Sequence, residues 1–273
     1  MLGHPLSGRI GRNESRKLNA VIVVPTYNEV RNLGALVARL FSEPLPNLRI
    51  IIVDDESPDG TGRLADDLAA GHPGRIDVLH RRGRRGLGLA YRDGFRWAID
   101  LGTDAIVQMD ADMSHSPADV PRLLAALDDC DVAVGSRYVP GGTVDDHWGA
   151  GRQALSWSAN VYARALLRLK TRDATAGFKC WRRTALEAVD IDRMASDGYI
   201  IEVEMAYVSE RLGLKIREVP IYFADRREGL SKMTTRSKID GALGVFRIWR
   251  RHHRIQPLGS GRGSSPGAGG RKG

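Results

Sequence analysis

The sequence predicts an α/β fold built on a mostly parallel sheet with helices on both faces. Three observations lead there. Short apolar, β-branched runs alternate four times with stretches of helical periodicity. The connections between them are short. The runs are apolar throughout, as strands covered on both faces require.

Taken in order, Leu18 to Val24 is the first buried strand, closed by Pro25-Thr26-Tyr27-Asn28-Glu29. Leu33, Leu36, Val37 and Leu40 follow at helical spacing. Leu48 to Val53 is the second strand and ends in Asp54-Asp55. Glu56-Ser57-Pro58-Asp59-Gly60-Thr61 then turns the chain into a helix from Gly62 to Ala70. Ile76 to Leu79 is the third strand, followed by a basic glycine-rich loop, Arg81 to Gly88, and a helix through Tyr91, Phe95 and Ile99. The fourth strand, Ala105 to Met109, delivers Asp110-Ala111-Asp112, and Ser116-Pro117 opens a helix to Leu127. Asp131 to Val134 is a fifth strand, leading to Gly135-Ser136-Arg137.

The second half is less regular. Gly141 to Trp148 is a loop, and Arg152 to Leu169 and Gly198 to Leu212 are helices. Asp173 to Phe178 is a loop before a short strand, Lys179 to Trp181. Lys215 to Phe223 is a strand whose Pro220 marks a sheet edge. The polar stretch Ala224 to Lys232 suits a lid beside an anionic site.

Composition narrows the function classes. The chain has 273 residues and 42% apolar content, enough for one large α/β domain or two small ones. No apolar run approaches the roughly 20 residues of a membrane span, and the first residues lack the apolar region of a signal peptide. Cys130 and Cys180 are far apart, so neither a disulfide framework nor a cysteine metal site is expected, and a reducing cytoplasm is the default. A net charge of +8 points to an anionic partner. The expected division is a flexible N-terminus at 1–16, a catalytic domain at 17–236, a basic amphipathic helix at 237–256 and a disordered Gly/Ser-rich tail at 257–273.

Asp110 and Asp112 leave one strand end on the same side, where like charges repel unless a cation lies between them. Taken alone, Asp-x-Asp is most often a solvated pair. Here the loops after strands one, two and four also carry Glu29, Asp54 and Asp55, and the loop after strand three carries Arg84 and Arg85. These loops meet at one rim of a parallel sheet, which suits a phosphate ligand bridged by a hard divalent ion. There is no Walker A pattern, and Gly83 to Gly88 is not a dinucleotide fingerprint. His115 is expected to shape the acidic loop, Glu202 and Glu204 to be structural, and Trp148 and Trp157 to pack.

Together with Gly86-Leu87-Gly88, Thr175-Ala176-Gly177-Phe178-Lys179, Asp225-Arg226, Gly229 and Ser231-Lys232, these stretches resemble the family 2 glycosyltransferases of the Rossmann-like GT-A fold. The Ser-Pro-Asp-Gly-Thr and Arg…Gly…Ser-Lys runs point to the polyprenol-phosphate (dolichol-phosphate) mannosyltransferase branch. The resemblance implies that Pro25, Tyr27, Glu29, Val53 and Asp55 line the nucleotide, with Ala111 touching it. It implies Mg²⁺ or Mn²⁺ on Asp110 and Asp112, with Ser114 standing where the family often has Gln as the third ligand. It further implies that Arg137, Arg226 and Lys232 neutralise phosphate charge and that Asp112, Arg226 and Lys232 form the catalytic set. Arg137, Arg152, Thr175 and Lys179 are candidates for the acceptor phosphate; Lys179 stands where the family has Arg, and Ala176 where it has Ser.

The implied reaction is inverting transfer of mannose from GDP-mannose to a polyprenyl phosphate, serving lipoglycan or glycoprotein mannosylation. The acceptor phosphate is already ionised, so no strong general base is needed. The nearest rival is polyprenyl-phosphate glucosyl transfer from UDP-glucose. A nucleic-acid-binding module, suggested by charge alone, is disfavoured by an aromatic content of 6%. Ser237 to Ile255 sets Ile239, Leu243, Phe246 and Trp249 near Arg247, Arg250, Arg251 and Arg254. That suits a helix lying on the cytoplasmic face of a membrane, and equally a helix packed on the domain. A partner membrane protein is an alternative route of recruitment.

Overall fold

The computed structural model describes residues 18–45, 47–225 and 235–259, with 235–240 and 242 as backbone alone. The first half alternates β1 (Ala20–Thr26), α1 (Leu33–Ser42), β2 (Arg49–Asp54), α2 (Thr61–Gly71), β3 (Ile76–His80), α3 (Leu87–Asp100) and β4 (Ala105–Gln108). After a short 3₁₀ turn come α4 (Val120–Ala126), β5 (Val132–Ser136), β6 (Thr143–Val144), α5 (Ala150–Leu167) and β7 (Lys179–Arg182). The chain continues through α6 (Arg183–Val189), α7 (Ile201–Leu212), β8 (Ile216–Pro220), β9 (Tyr222–Phe223) and α8 (Thr235–His252).

Seven strands form one sheet in the order β3-β2-β1-β4-β7-β5-β8, and β6 pairs with β9 apart from it. Successive side chains of a strand face opposite layers. Ile22, Val24, Ile50 and Ile52 therefore enter one core with Leu33, Leu36 and Leu40 of α1 and Leu123 of α4. Val21, Val23, Ile51 and Val53 enter the other, with Tyr91 and Phe95 of α3 and Met205 of α7. The expected α/β architecture with both faces covered is what forms.

Strand order differs from a simple parallel succession. β7 runs antiparallel between β4 and β5, pairing Lys179 with Gln108 and Cys180 with Ala133. Local periodicity shows that Lys179 to Trp181 is extended, but direction and neighbour come from the long excursion through α5. The helix α6, directly after β7, was also not anticipated. β8 is the edge strand that Pro220 suggested.

A third core joins three helices. Ala163 and Leu167 of α5 pack with Val203 and Tyr207 of α7 and with Val245 and Ile248 of α8. His252 Nε2 lies 2.7 Å from the buried Glu204 Oε1, fastening the end of α8 to the domain. Glu204 also accepts the Ala195 and Ser196 N–H groups, at 3.1 and 2.9 Å. The segment so held presses on α3: a Cβ on Gly88 would lie 2.4 Å from the Ser196 carbonyl oxygen. This is why Gly86-Leu87-Gly88 needs its glycines.

Gly94, midway along α3, lets that helix lie close on the sheet. A Cβ there would sit 2.4 Å from Val23 Cγ1 and 2.9 Å from Val53 Cγ2. Gly94→Ala is expected to destabilise the fold by about 1–3 kcal/mol despite the better helix propensity of alanine. Urea unfolding monitored by circular dichroism measures this; an unchanged or raised midpoint would show that the layers can separate at little cost.

Candidate active site

The first three strands run outward from β1 in one direction, and β4 lies on its other side, so the strand order reverses between β1 and β4. Ligands of such sheets bind in the crevice at the carboxyl ends there. The loops after β1, β2 and β4 carry the acidic groups singled out from the sequence, and the loop after β3 carries the basic ones.

Asp110 and Asp112 stand at the exit of β4. Asp110 Oδ1 accepts the Tyr91 hydroxyl at 2.8 Å. Tyr91 is fully buried; burial and the Asp110 carboxylate push its hydroxyl well above the ordinary value, so it stays a donor. Asp112 Oδ1 accepts the Ser114 N–H at 3.1 Å and the Ser114 hydroxyl at 2.6 Å, a turn completed by Met113 at φ +65°. Ser114, expected as a metal ligand, therefore gives its proton to the carboxylate two residues before it. His115 Nδ1 lies 3.3 Å from the Asp110 nitrogen, and its ring stacks on Phe178 with centroids 4.9 Å apart. Burial lowers its pKa, so it is a neutral acceptor that shapes the loop, as expected.

The Ser-Pro-Asp-Gly-Thr run turns out to be a brace. The N–H groups of Asn28, Glu29 and Val30 donate to Ser57 Oγ at 3.0 Å, Thr61 Oγ1 at 2.9 Å and Asp59 Oδ2 at 3.2 Å. The loop after β1 is thereby fixed, with Asn28 and Glu56 in the left-handed region. Burial opposes the Asp59 charge, but hydrogen bonds from Thr61 and Val30 hold its carboxyl below the usual range.

The basic loop is pinned to the same rim. Arg81 bridges Asp55 and Asp93, and Asp55 Oδ2 accepts the Gly86 N–H at 2.7 Å. Arg84 reaches Asp197 at 2.5 Å. Arg85 donates to the Tyr27 hydroxyl at 3.1 Å, with its guanidinium 5.1 Å from the ring centre. Tyr27 and Glu29 are half-buried at this mouth, and Glu29 also accepts from Asn32 at 2.9 Å.

On the other side, α5 begins at the rim. Arg152 lies 3.9 Å over the Trp148 ring and donates to Asp225 at 2.6 Å. Trp148 packs as expected, buried and edge-on to Phe223, whereas Trp157 is 59% exposed and does not. The Ala224 N–H donates to the Ser114 carbonyl at 3.0 Å, tying the chain before Arg226 to the acidic loop. Arg226 and Lys232 lie outside the described residues.

Burial and pairing set the surroundings of several residues singled out from the sequence. Lys179 is only 1% exposed and bonded to the Glu202 carboxylate and the Ala176 carbonyl oxygen, so it is a core counter-ion rather than an acceptor-phosphate ligand. Burial pushes the Glu202 carboxyl up, opposed by Lys179 and by the Gln108 amide at 2.6 Å. Val53 is fully buried against α3, and Ala111 is in the core with Met109 and Met113. Pro25 is likewise buried at the end of β1. Arg137 spends its fork on the fully buried Asp173, with bonds of 2.8 and 2.7 Å, and reaches Thr175 Oγ1 at 2.8 Å. Burial alone would raise the Asp173 carboxyl, yet Arg137 holds it below the usual range. Arg137 and Thr175 thus shape the rim rather than offering a free cation to a phosphate.

Tyr91, Asp173 and the Gln108–Glu202 pair were missed as parts of the site. Tyr91 reads in the sequence as one of the apolar positions of α3; only its hydroxyl, which needs a partner when buried, hinted at more. Asp173 carried no local signal.

Comparison with known proteins agrees with this geometry. Residues 21–190 match the family described as glycosyl transferase family 2. The chain is 42% identical over 243 residues to a polyprenol monophosphomannose synthase of Mycolicibacterium smegmatis, covering 83% of this chain and 91% of that protein. It is 44% identical over 217 residues to an undecaprenyl-phosphate mannosyltransferase of Micrococcus luteus, covering 80% and 88%. Among solved structures, a Pyrobaculum calidifontis mannosyltransferase in complex with GDP-Man and Mn²⁺ aligns with a TM-score of 0.60 at 16% identity, over 87% of this chain and 65% of that one. Glucosyl-3-phosphoglycerate synthase from Mycobacterium tuberculosis, with Mn²⁺ and UDP, aligns at 0.61 and 18% identity, over 86% and 80%. Those two likenesses establish the fold. With the fold, the strand-end carboxylates and the sequence match in agreement, this chain belongs to glycosyl transferase family 2.

Proposed function

We propose that the protein transfers mannose from GDP-mannose to a polyprenyl phosphate, with inversion at the anomeric carbon. One observation carries this: two relatives at 42% and 44% identity, aligned over most of both chains, are named for mannosylation of a polyprenyl phosphate. The site suits such a reaction. A negatively charged donor meets half-exposed Arg85 beside Tyr27 on one side of the acidic loop and Arg152 on the other.

Asp110 and Asp112 fit a hard divalent ion, Mg²⁺ or Mn²⁺. Their donors are carboxylate oxygens, and Gly177 keeps the space beside Asp110 open, since a Cβ there would stand 3.5 Å from Oδ2. Among the described residues, no cluster of three or more His, Cys, Asp or Glu side chains is arranged to hold a metal. The diphosphate and water would supply the remaining ligands. Such an ion, when bound, neutralises charge on the departing diphosphate.

The chain's own groups do the positioning. Tyr91 fixes the orientation of Asp110, and Ser114 that of Asp112. Tyr27 offers a ring to the base, with Glu29 beside it. Arg152 is the candidate for the acceptor phosphate. Arg226 and Lys232 are read from the sequence as cations for the leaving group. The acceptor phosphate attacks without prior deprotonation, so catalysis rests on alignment and charge stabilisation. Among the described residues no helix is long and apolar enough to cross a membrane, and we place the protein peripherally on the cytoplasmic face. A membrane-protein anchor is an additional partner to test, and no nucleic-acid partner is proposed.

Purified protein incubated with polyprenyl phosphate and labelled GDP-mannose or UDP-glucose is expected to form lipid-linked mannose alone, and to lose activity on chelation. Asp112→Ala should lower transfer by at least about a hundredfold. Lipid-linked glucose as the main product would overturn the donor assignment. For the positioning role, Tyr91→Phe should weaken Mn²⁺ binding by roughly 10- to 100-fold, read by direct metal titration. Unchanged affinity would remove Tyr91 from the site.

The reassignment of Lys179 is tested by stability. Lys179→Met alone should cost about 3–5 kcal/mol by leaving Glu202 buried and unpaired, and adding Glu202→Gln should restore most of it. A stable Lys179→Met protein with a raised KM for the acceptor would instead return Lys179 to the phosphate.

A further inference from the structure

We propose that Asp93 is a positioning residue for the nucleotide. By holding Arg81 it sets the Asp55 carboxylate and the basic loop at the base end of the crevice. This rests on the reading of the donor as a nucleoside diphosphate sugar, and adds a residue of α3 that none of the sequence motifs contains.

The sheet order gives the site two ends. Asp110 and Asp112 leave β4, whereas Tyr27, Asp55 and Arg81 stand just past the ends of β1, β2 and β3, which follow in that order on one side of β4. Neighbouring strands lie about 4.8 Å apart, so β2 ends roughly 10 Å across the sheet from β4. A diphosphate held at the acidic pair therefore has its nucleoside within reach of Tyr27 and Asp55.

The Asp55 carboxylate is oriented from two sides. Its Oδ1 accepts from Arg81 Nη1, and its Oδ2 accepts the Gly86 N–H at 2.7 Å. Each carboxylate oxygen has two lone pairs, so one donor apiece orients the group and leaves it capacity to accept from a ligand. Arg81 meets a different segment with each of its three nitrogens. Nη1 holds the end of β2, Nη2 donates to the Arg84 carbonyl oxygen at 3.3 Å, and Nε donates to Asp93 Oδ2 at 2.7 Å. A guanidinium is a planar fork, so fixing Nε fixes the direction of both Nη groups. Asp93 thus decides which way Arg81 faces.

Exposure separates placement from stability here. The Arg81 and Asp55 side chains are each 10% exposed. Asp93 is 33% exposed, and its other partner, Arg96, is 49% exposed at 2.7 Å. Arg96 in turn donates to Asp192 at 2.7 Å. Ion pairs this wet add little to stability. What Asp93 contributes is balance: Arg81 is shared between two carboxylates on opposite edges of its fork. Without Asp93 the Nε edge loses its anion, and the fork is free to swing from Asp55 toward the phosphates of a ligand.

The experiment is calorimetric titration of the full chain with GDP, UDP and pyrophosphate in the presence of Mn²⁺. Asp93→Asn is expected to weaken GDP binding about tenfold, the loss of one charge-assisted hydrogen bond, and to leave pyrophosphate within about twofold. The KM for GDP-mannose should rise by about the same factor, with kcat within about twofold and the thermal midpoint unchanged. Because Asp93 acts through Arg81, Arg81→Met should weaken GDP at least as much, and Asp93→Asn added to it should cost nothing further. If Arg81→Met does not fold, Arg81→Lys, which keeps the charge but not the fork, replaces it. Unchanged GDP affinity in Asp93→Asn, an equal loss for pyrophosphate, or a full further loss in the Arg81 variant would overturn the proposal. A wild type that binds UDP and not GDP, with the same pattern among the variants, would strike only the donor assignment. Binding of neither nucleotide would strike both.

Discussion

Two carboxylates two residues apart, at the end of one strand, repel each other, and the fold must hold both without cancelling them. Uncharged donors orient them. The Tyr91 hydroxyl orients Asp110, and the Ser114 hydroxyl and N–H orient Asp112. That requirement reaches far into the molecule. Tyr91 meets Asp110 because Gly94 lets α3 lie against Val23 and Val53. The start of α3 is set by Gly86 and Gly88 against the carbonyl oxygens of Asp197 and Ser196. That segment is held by Glu204, which His252 at the end of α8 also contacts. The acidic loop and the C-terminal helix are thus linked by a continuous series of packed and hydrogen-bonded groups.

Charge is distributed by the same logic. Arg81, Arg137 and Lys179 all stand near the site, yet each is matched to its own acid: Asp55, Asp173 and Glu202. Desolvating such pairs costs free energy that their attraction roughly offsets. Their contribution is geometric: they fix where β2 and β5 end and where β7 begins. Arg85 and Arg152 have more water around them and pair with Glu56 and Asp225. A ligand charged at both its phosphates and its acceptor partner suits that arrangement.

The family motifs also divide into two kinds once placed in space. Asp110-Ala111-Asp112 supplies the carboxylates at the strand end, oriented by Tyr91 and Ser114. Ser57-Pro58-Asp59-Gly60-Thr61 and Gly86-Leu87-Gly88 supply none; the first braces the loop after β1, and the second lets two segments approach. The segment Thr175 to Lys179 mixes both kinds. Gly177 keeps clear the space beside Asp110, and Thr175 and Lys179 bind inward. A motif's presence identifies a family more readily than it identifies which of its residues touch substrate.

The sequence by itself determined what depends on near neighbours along the chain: the apolar strands, the periodic helices, the turn residues and the position of each acidic loop at a strand end. Backbone preferences and the facing of i, i+2 or i+4 side chains are local, so they can be read in order. It also placed Pro220 on an edge, because a missing N–H has one consequence anywhere. Only the tertiary structure decided which charges are buried in pairs with one another. Lys179 and Glu202 are 23 residues apart, and Arg137 and Asp173 are 36 apart. Nothing in the local pattern distinguishes these buried partners from solvated side chains. The antiparallel entry of β7 between β4 and β5 has the same origin. Burial and pairing are properties of contacts between distant segments, and those exist only when the chain has closed on itself.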